Sequence, residues 1–110
     1  MQAWAVQLRK GLVELAVLAA LNEGEAYGYQ LLQRLRQSDG LGVTESTVYP
    51  LLARLMDDGL VSVRAAPSPS GPPRRYYRLT ALGRSRLREM AAHWCNVRDG
   101  LDALLSGESP

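Results

Sequence analysis

The sequence predicts a mainly α fold with one small β-hairpin, and three observations predict it. Apolar residues recur at helical spacing through four separate segments. A two-residue period appears only from Leu60 to Arg64 and from Arg74 to Leu79. Four of the six prolines fall between those two stretches, where they forbid regular structure and leave a stiff loop. The 110 residues, 46% apolar and 22% charged, suit one soluble domain with a modest core. A monomer of this size buries only about 65% of its unfolded surface, so self-association would add useful burial.

The first helix is expected from about Leu8 to Glu23. Leu8, Leu12, Leu15, Ala16 and Ala19 form one stripe, which Val17, Leu18 and Leu21 broaden into a largely buried face. Gly24 then supplies a backbone that ends a helix without steric cost. A short amphipathic helix follows from about Gly28 to Gln37, with Leu31, Leu32 and Leu35 inward and Gln30, Gln33, Arg34 and Arg36 outward. The turn formers Ser38 to Gly42 break it.

Thr44 stands where an N-cap belongs, and Val48, Leu51, Leu52, Leu55 and Met56 give the third helix its apolar stripe. Pro50 removes the hydrogen bond to the Ser46 carbonyl, so local irregularity is expected. Asp57-Asp58-Gly59 ends this helix; the macrodipole disfavours the acids, so glycine and packing must set the boundary. The two predicted strands and their proline-rich loop make the hairpin. Thr80 caps a last helix that runs to about Leu105 before the tail frays. Three helices followed by a hairpin give the winged helix-turn-helix arrangement, to which a long C-terminal helix is appended. The expected division is a winged unit over 1–79, a dimerisation helix over 80–106 and a frayed tail over 107–110.

Charge is unevenly spread. Gly59 to Arg88 holds seven arginines and no acid, so a chain of net charge +2 is split into a +7 segment and a remainder at −5. Such a segment suits a polyanion, most often nucleic acid phosphate or an anionic membrane surface, although a solvated basic face is the plainer alternative. Cys95, alone, excludes an internal disulfide framework and a CxxC zinc site, and suits a reducing cytoplasm. The most apolar stretch, Leu12 to Leu21, contains Glu14 and is about half a membrane span. A cytoplasmic protein without a membrane partner is expected.

Short hydroxyls near a helix start can meet base edges or phosphates, which makes Ser46, Thr47 and Tyr49 candidates for a DNA groove, with Arg54 on the same side. The alternative is structural, with Thr44 and Ser46 capping and Tyr49 packing on a neighbour. Arg74 and Arg75, at the base of the rigid loop, are placed to reach phosphates or a minor groove. Arg9 and Lys10 either clamp a phosphate or form a solvated helix start.

In the last helix Leu87, Met90, Trp94, Val97, Leu101 and Leu104 follow an a/d spacing, the seam of a two-helix contact. A homodimer is the expected partner, and folding back onto the same domain is the alternative. Gly100 inside the seam weakens the helix and is expected to mark a kink or a close approach. Trp94, with Trp4 as a second wall and Met90 and Val97 beside it, lines either a closed aromatic core or a slot for a flat apolar effector. His93 and Cys95 are read as structural, being too few for a metal site. One histidine, no GxGxxG and no GxxxxGK argue against an enzyme, and no cofactor or metal is implied.

Leu8-Arg9-Lys10-Gly11, Ala26-Tyr27-Gly28-Tyr29, Ser46 to Leu55, Asp58 to Val61 and Arg74 to Thr80 resemble the PadR family of bacterial transcriptional regulators. Tyr49-Pro50 in the third helix and Arg75-Tyr76-Tyr77 in the strand carry the resemblance most specifically. It makes Pro50 a family feature and brings Tyr29 into the DNA-binding set. It implies a homodimer joined through the last helix, repression at a palindromic operator of double-stranded DNA, and release by a small aromatic or hydrophobic effector. The single last helix resembles the short subfamily, some members of which hold flat compounds between paired tryptophans, a place that Trp94 matches. The wing departs from the family pattern in its Pro67, Pro69, Pro72 and Pro73. The rival reading is a protein-interaction module that keeps the winged fold and binds no DNA.

Overall fold

The computed structural model describes residues 2–107, so positions 108–110 of the expected tail lie outside the described residues. The elements are α1 (Gln2–Asn22), β1 (Ala26–Tyr27), α2 (Gly28–Arg36), a 3-10 turn (Asp39–Leu41), α3 (Glu45–Asp57), β2 (Val61–Ala66), β3 (Arg74–Leu79) and α4 (Ala81–Leu105). The core lies between the C-terminal half of α1, α2, α3 and the inner face of the sheet. Val17, Leu18, Leu31, Leu32, Val48, Leu52, Leu55 and Leu60 are its largest fully buried side chains. Among the described residues no helix is long and apolar enough to cross a membrane.

Four expectations need correction. Helix α1 starts at Gln2 rather than near Leu8. Its core face is Val17, Leu18, Ala20 and Leu21, whereas the stripe through Leu8, Leu12, Leu15 and Ala19 is only partly covered. The hairpin is part of a three-stranded antiparallel sheet ordered β1-β3-β2. Strand β1 is two residues long, Ala26 opposite Tyr77 and Tyr27 opposite Tyr76, too short for any alternation to reveal. Helix α3 runs unbroken through Pro50, because the ring and the orphaned Ser46 carbonyl lie in its exposed opening turns. Finally, α4 is continuous through Gly100, and a side chain there would meet nothing within 4 Å.

The junction between α3, the sheet and α4 is tightly fixed. Gly59 takes a φ of 76°, and the Leu60 amide bonds back to the Leu55 carbonyl at 2.9 Å, ending α3 on glycine despite Asp57 and Asp58. Thr80 caps α4 through the Gly83 amide at 3.0 Å and donates its hydroxyl to the Gly59 carbonyl at 2.7 Å. The Thr80 amide donates to Leu60 at 3.1 Å. Gly83 sits so close to the Leu60 carbonyl that a Cβ would overlap it. The start of α4 and the end of α3 are therefore fixed against each other.

Candidate functional site

Two surfaces gather the residues singled out by the sequence. The first is built on the N-terminal half of α3, the start of α2 and the wing formed by β2, β3 and their loop. Thr44 has the extended backbone of an N-cap, and its carbonyl accepts from the Thr47 and Val48 amides at 3.1 and 3.0 Å. Its side chain caps nothing, contrary to expectation; the hydroxyl lies 3.0 Å from that of Ser46 and 3.3 Å from that of Thr47. Three exposed hydroxyls thus share hydrogen bonds at the helix start.

Tyr29, Tyr49, Arg74 and Arg75 line one shallow depression of about 280 Å³, together with Tyr27, Gly28 and Tyr77. Glycine at 28 is required for this: a Cβ there would stand 2.6 Å from the Tyr49 hydroxyl oxygen and 2.7 Å from a ring carbon. Burial of the Tyr49 phenol, reinforced by Glu45 and Tyr77 and opposed by Arg36, raises its pKa, so the hydroxyl stays a donor well above neutrality. Tyr29 and Tyr49 are 54% and 41% exposed, enough to meet a ligand.

Arg9 and Lys10 line a second depression, of about 230 Å³, with Thr47, Leu41, Gly42 and Val43. The Arg9 guanidinium lies against Gly42, whose φ of 55° and missing Cβ make room for it. The last turn of α1 is capped by Arg34, which donates to the carbonyls of Ala20, Gly24 and Glu25 at 3.3, 2.7 and 3.3 Å. The helical period places Arg34 outward and reports no acceptor so distant in sequence. Arg54 donates to Glu14 at 2.6 Å, and Arg86 approaches the other oxygen of the same carboxylate at 3.7 Å. Glu14 interrupts an apolar run, and that interruption is the signal the sequence offers for this partly exposed ion pair.

The basic segment is less uniform than its composition. Arg64 is held by Glu25 through two bonds of 2.8 and 2.6 Å, and this pairing lowers the Glu25 pKa below its ordinary value. Arg78 reaches the Ser62 hydroxyl at 3.2 Å, and Arg84 the Leu79 carbonyl at 3.4 Å. Arg74 and Arg75, at the mouth of the depression, have no carboxylate partner among the described residues.

The second surface is the groove between α1 and α4. Trp4, Met90, Trp94 and Val97 line one apolar channel of about 580 Å³ with Leu8, Leu12, Leu15, His93 and Leu101. A neighbouring hollow of about 370 Å³, sharing Leu12, Leu15 and Trp94, extends it to Leu41 and Leu87. The heptad seam thus divides. Leu87 and Met90 pack against the core of their own domain, while Val97, Leu101 and Leu104 are 54%, 49% and 74% exposed. Cys95 is exposed on α4. No cluster of three or more His, Cys, Asp or Glu able to hold a metal occurs among the described residues.

Comparison with known proteins agrees with this architecture. Residues 17–89 match the family described as Transcriptional regulator PadR-like family. The transcriptional regulator Rv3488 of Mycobacterium tuberculosis is 36% identical over 83 residues, 76% of each chain. A PadR-like transcriptional regulator from Bacillus cereus superposes with a TM-score of 0.83 at 34% identity, covering 93% of this chain and 99% of its own. A PadR family regulator from Eggerthella lenta gives a TM-score of 0.82 at 38% identity, covering 94% and 90%.

Proposed function

Since the chain belongs to the PadR-like family of transcriptional regulators, we propose that it acts as a homodimeric repressor that binds a palindromic operator in double-stranded DNA. The observation that carries this reading is the convergence of Tyr29, Tyr49, Arg74 and Arg75 on one depression beside the hydroxyl-rich start of α3. In this reading α3 enters the major groove, where Ser46, Thr47 and Tyr49 meet base edges or phosphates. The wing arginines and Tyr29 meet the flanking backbone, and Arg9 and Lys10 clamp a phosphate beside the α3 start. Arg54, tied to Glu14 with 57% of its side chain exposed, keeps donors for a further phosphate.

The two copies join through α1 and α4, which covers the exposed Trp4, Val97, Leu101 and Leu104. Half-site centres then lie about 10 bp apart or twice that. A flat apolar effector enters between the paired grooves, against Trp4, Met90, Trp94 and Val97, and favours a dimer whose recognition helices no longer match the operator spacing. The fixed α3–α4 junction supports such transmission. Selection from random duplex DNA at stated salt tests the reading: a palindrome is expected, and a monomer that ignores every duplex at low salt overturns it.

A further inference from the structure

The outer face of the sheet carries five side chains in one row. Tyr27, Tyr76 and Arg64 are direct cross-strand partners, one from each strand, so they stand at one level on one face. Arg74, two residues before Tyr76, and Glu25, two before Tyr27, share that face by alternation, whereas Ala26 and Tyr77 point into the core. The contacts are continuous. The Glu25 carboxylate receives Arg64 Nε and Nη2 at 2.8 and 2.6 Å. The Arg64 guanidinium lies 4.7 Å from the Tyr76 ring centre. Tyr76 meets Tyr27 edge to face, with centroids 5.6 Å apart and planes at 78°. Arg74 covers the other side of that contact, 4.3 Å from the Tyr27 ring centre.

The order of groups gives the row its consequence. Glu25 neutralises Arg64 and draws it over Tyr76, Tyr76 fixes the plane of Tyr27, and Tyr27 supplies a platform for Arg74. Only the terminal cation lacks an anion among the described residues. A guanidinium over a ring face spends none of its N–H groups on a conventional acceptor, so Arg74 is held over Tyr27 with its donors open. We propose that this row is a positioning device for the wing, with Tyr27 and Glu25 as positioning residues that pre-set Arg74 to receive a DNA phosphate; it rests on the DNA-binding reading above. An arginine already stacked has less rotamer freedom to lose on contact than one that is loose.

Two measurements test it, one of them independent of DNA. Relaxation of the Arg74 Nε–Hε signal in the free protein is expected to report a restrained side chain in the wild type and in Tyr27→Phe. In Tyr27→Leu and Glu25→Gln it is expected to be mobile. Equal mobility in all four overturns the device whatever the protein binds. Duplex affinity is then followed across a salt series, using the sequence recovered by selection. Arg74→Ala is expected to weaken binding and to make the slope of log K against log salt shallower by about 0.9. Tyr27→Leu is expected to weaken binding by roughly threefold to tenfold with no change of slope, because the phosphates contacted are the same. Tyr27→Phe is expected to bind as wild type, and Tyr27→Leu to add nothing to Arg74→Ala. Wild-type affinity in Tyr27→Leu, or full additivity in the double variant, overturns the positioning role while leaving DNA binding intact. A wild-type protein that binds no duplex overturns both readings.

Discussion

The sheet face and the α1–α4 groove are built by opposite means. In the row on the sheet face Glu25, Arg64, Tyr76 and Tyr27 each meet a neighbour inside the chain, and Arg74 ends the row over a ring with its donors open. In the groove the apolar side chains outnumber the partners the chain can offer, and Leu101 and Leu104 stay open to solvent. A polar surface finished from within is pre-set for a ligand that supplies only phosphates. An apolar surface left unfinished needs a body to cover it, and its shape is decided by what arrives. The two are joined at Gly59, Leu60, Thr80 and Gly83, where hydrogen bonds and a close glycine contact tie the start of α4 to the end of α3.

The largest expected effect follows from breaking that joint. Gly83→Val places a branched side chain against the Leu60 carbonyl, which is backbone and has no room to retreat. The cost is expected to be about 3 kcal/mol or more, read as a lower midpoint in urea unfolding. Unchanged stability would mean that α4 is free to shift relative to the sheet, and the two surfaces would then be independent.

Next in size is a change confined to the groove. Leu101→Glu introduces a charge where a second copy is expected to lie, and burying it unpaired costs several kcal/mol. Sedimentation is expected to show monomer at micromolar concentration, against dimer for the wild type. Helical content is expected to persist, because position 101 makes no part of the buried core. A variant that remains dimeric would place the contact elsewhere.

A smaller effect is expected at the reading surface. Gly28→Ala pushes against the Tyr49 ring, the movable end of a side chain, so stability is expected to fall by about 1 kcal/mol or less. Duplex affinity is expected to fall more than stability suggests, because Tyr49 is displaced from the depression it shares with Arg74 and Arg75. Loss of stability without loss of affinity would return Tyr49 to the packing role that the sequence left open.

Regular features were legible from the chain alone, and pairings across distance were not. Four helices and both long strands follow from spacing, because each buries one face and the period records it. Trp4 and Trp94 line one groove, and Tyr49 and Arg74 line one depression that no spacing in the sequence announces. Strand β1 was hidden, since two residues hold no period and its partner lies fifty residues further on. The partners of Arg34, Arg54 and Arg64 leave no mark on the local pattern, because they are carbonyls and carboxylates brought close only by folding. Glu14 inside an apolar run was the one local hint of such a pairing.

The smallest expected effect concerns the anchor of the polar row and fixes the pH at which the two surfaces part company. The Arg64 hydrogen bonds lower the Glu25 pKa, with the charges of Arg64 and Arg78 acting in the same direction and burial opposing them. A depressed carboxylate contributes stability above its unfolded pKa and loses it as pH falls through the folded value. The difference in melting temperature between wild type and Glu25→Gln is therefore expected to be constant from neutrality to about pH 5 and to shrink below that. Its size is expected to be small, because the pair is exposed to water and screened by salt. Among the described residues no carboxylate lines the groove and His93 is its one titratable lining side chain, so the dimer is expected to lose no carboxylate contact over the interval in which the row loosens. A monomer appearing at the same pH as the loss of the Glu25 contribution would show instead that the sheet face and the groove are not separately built.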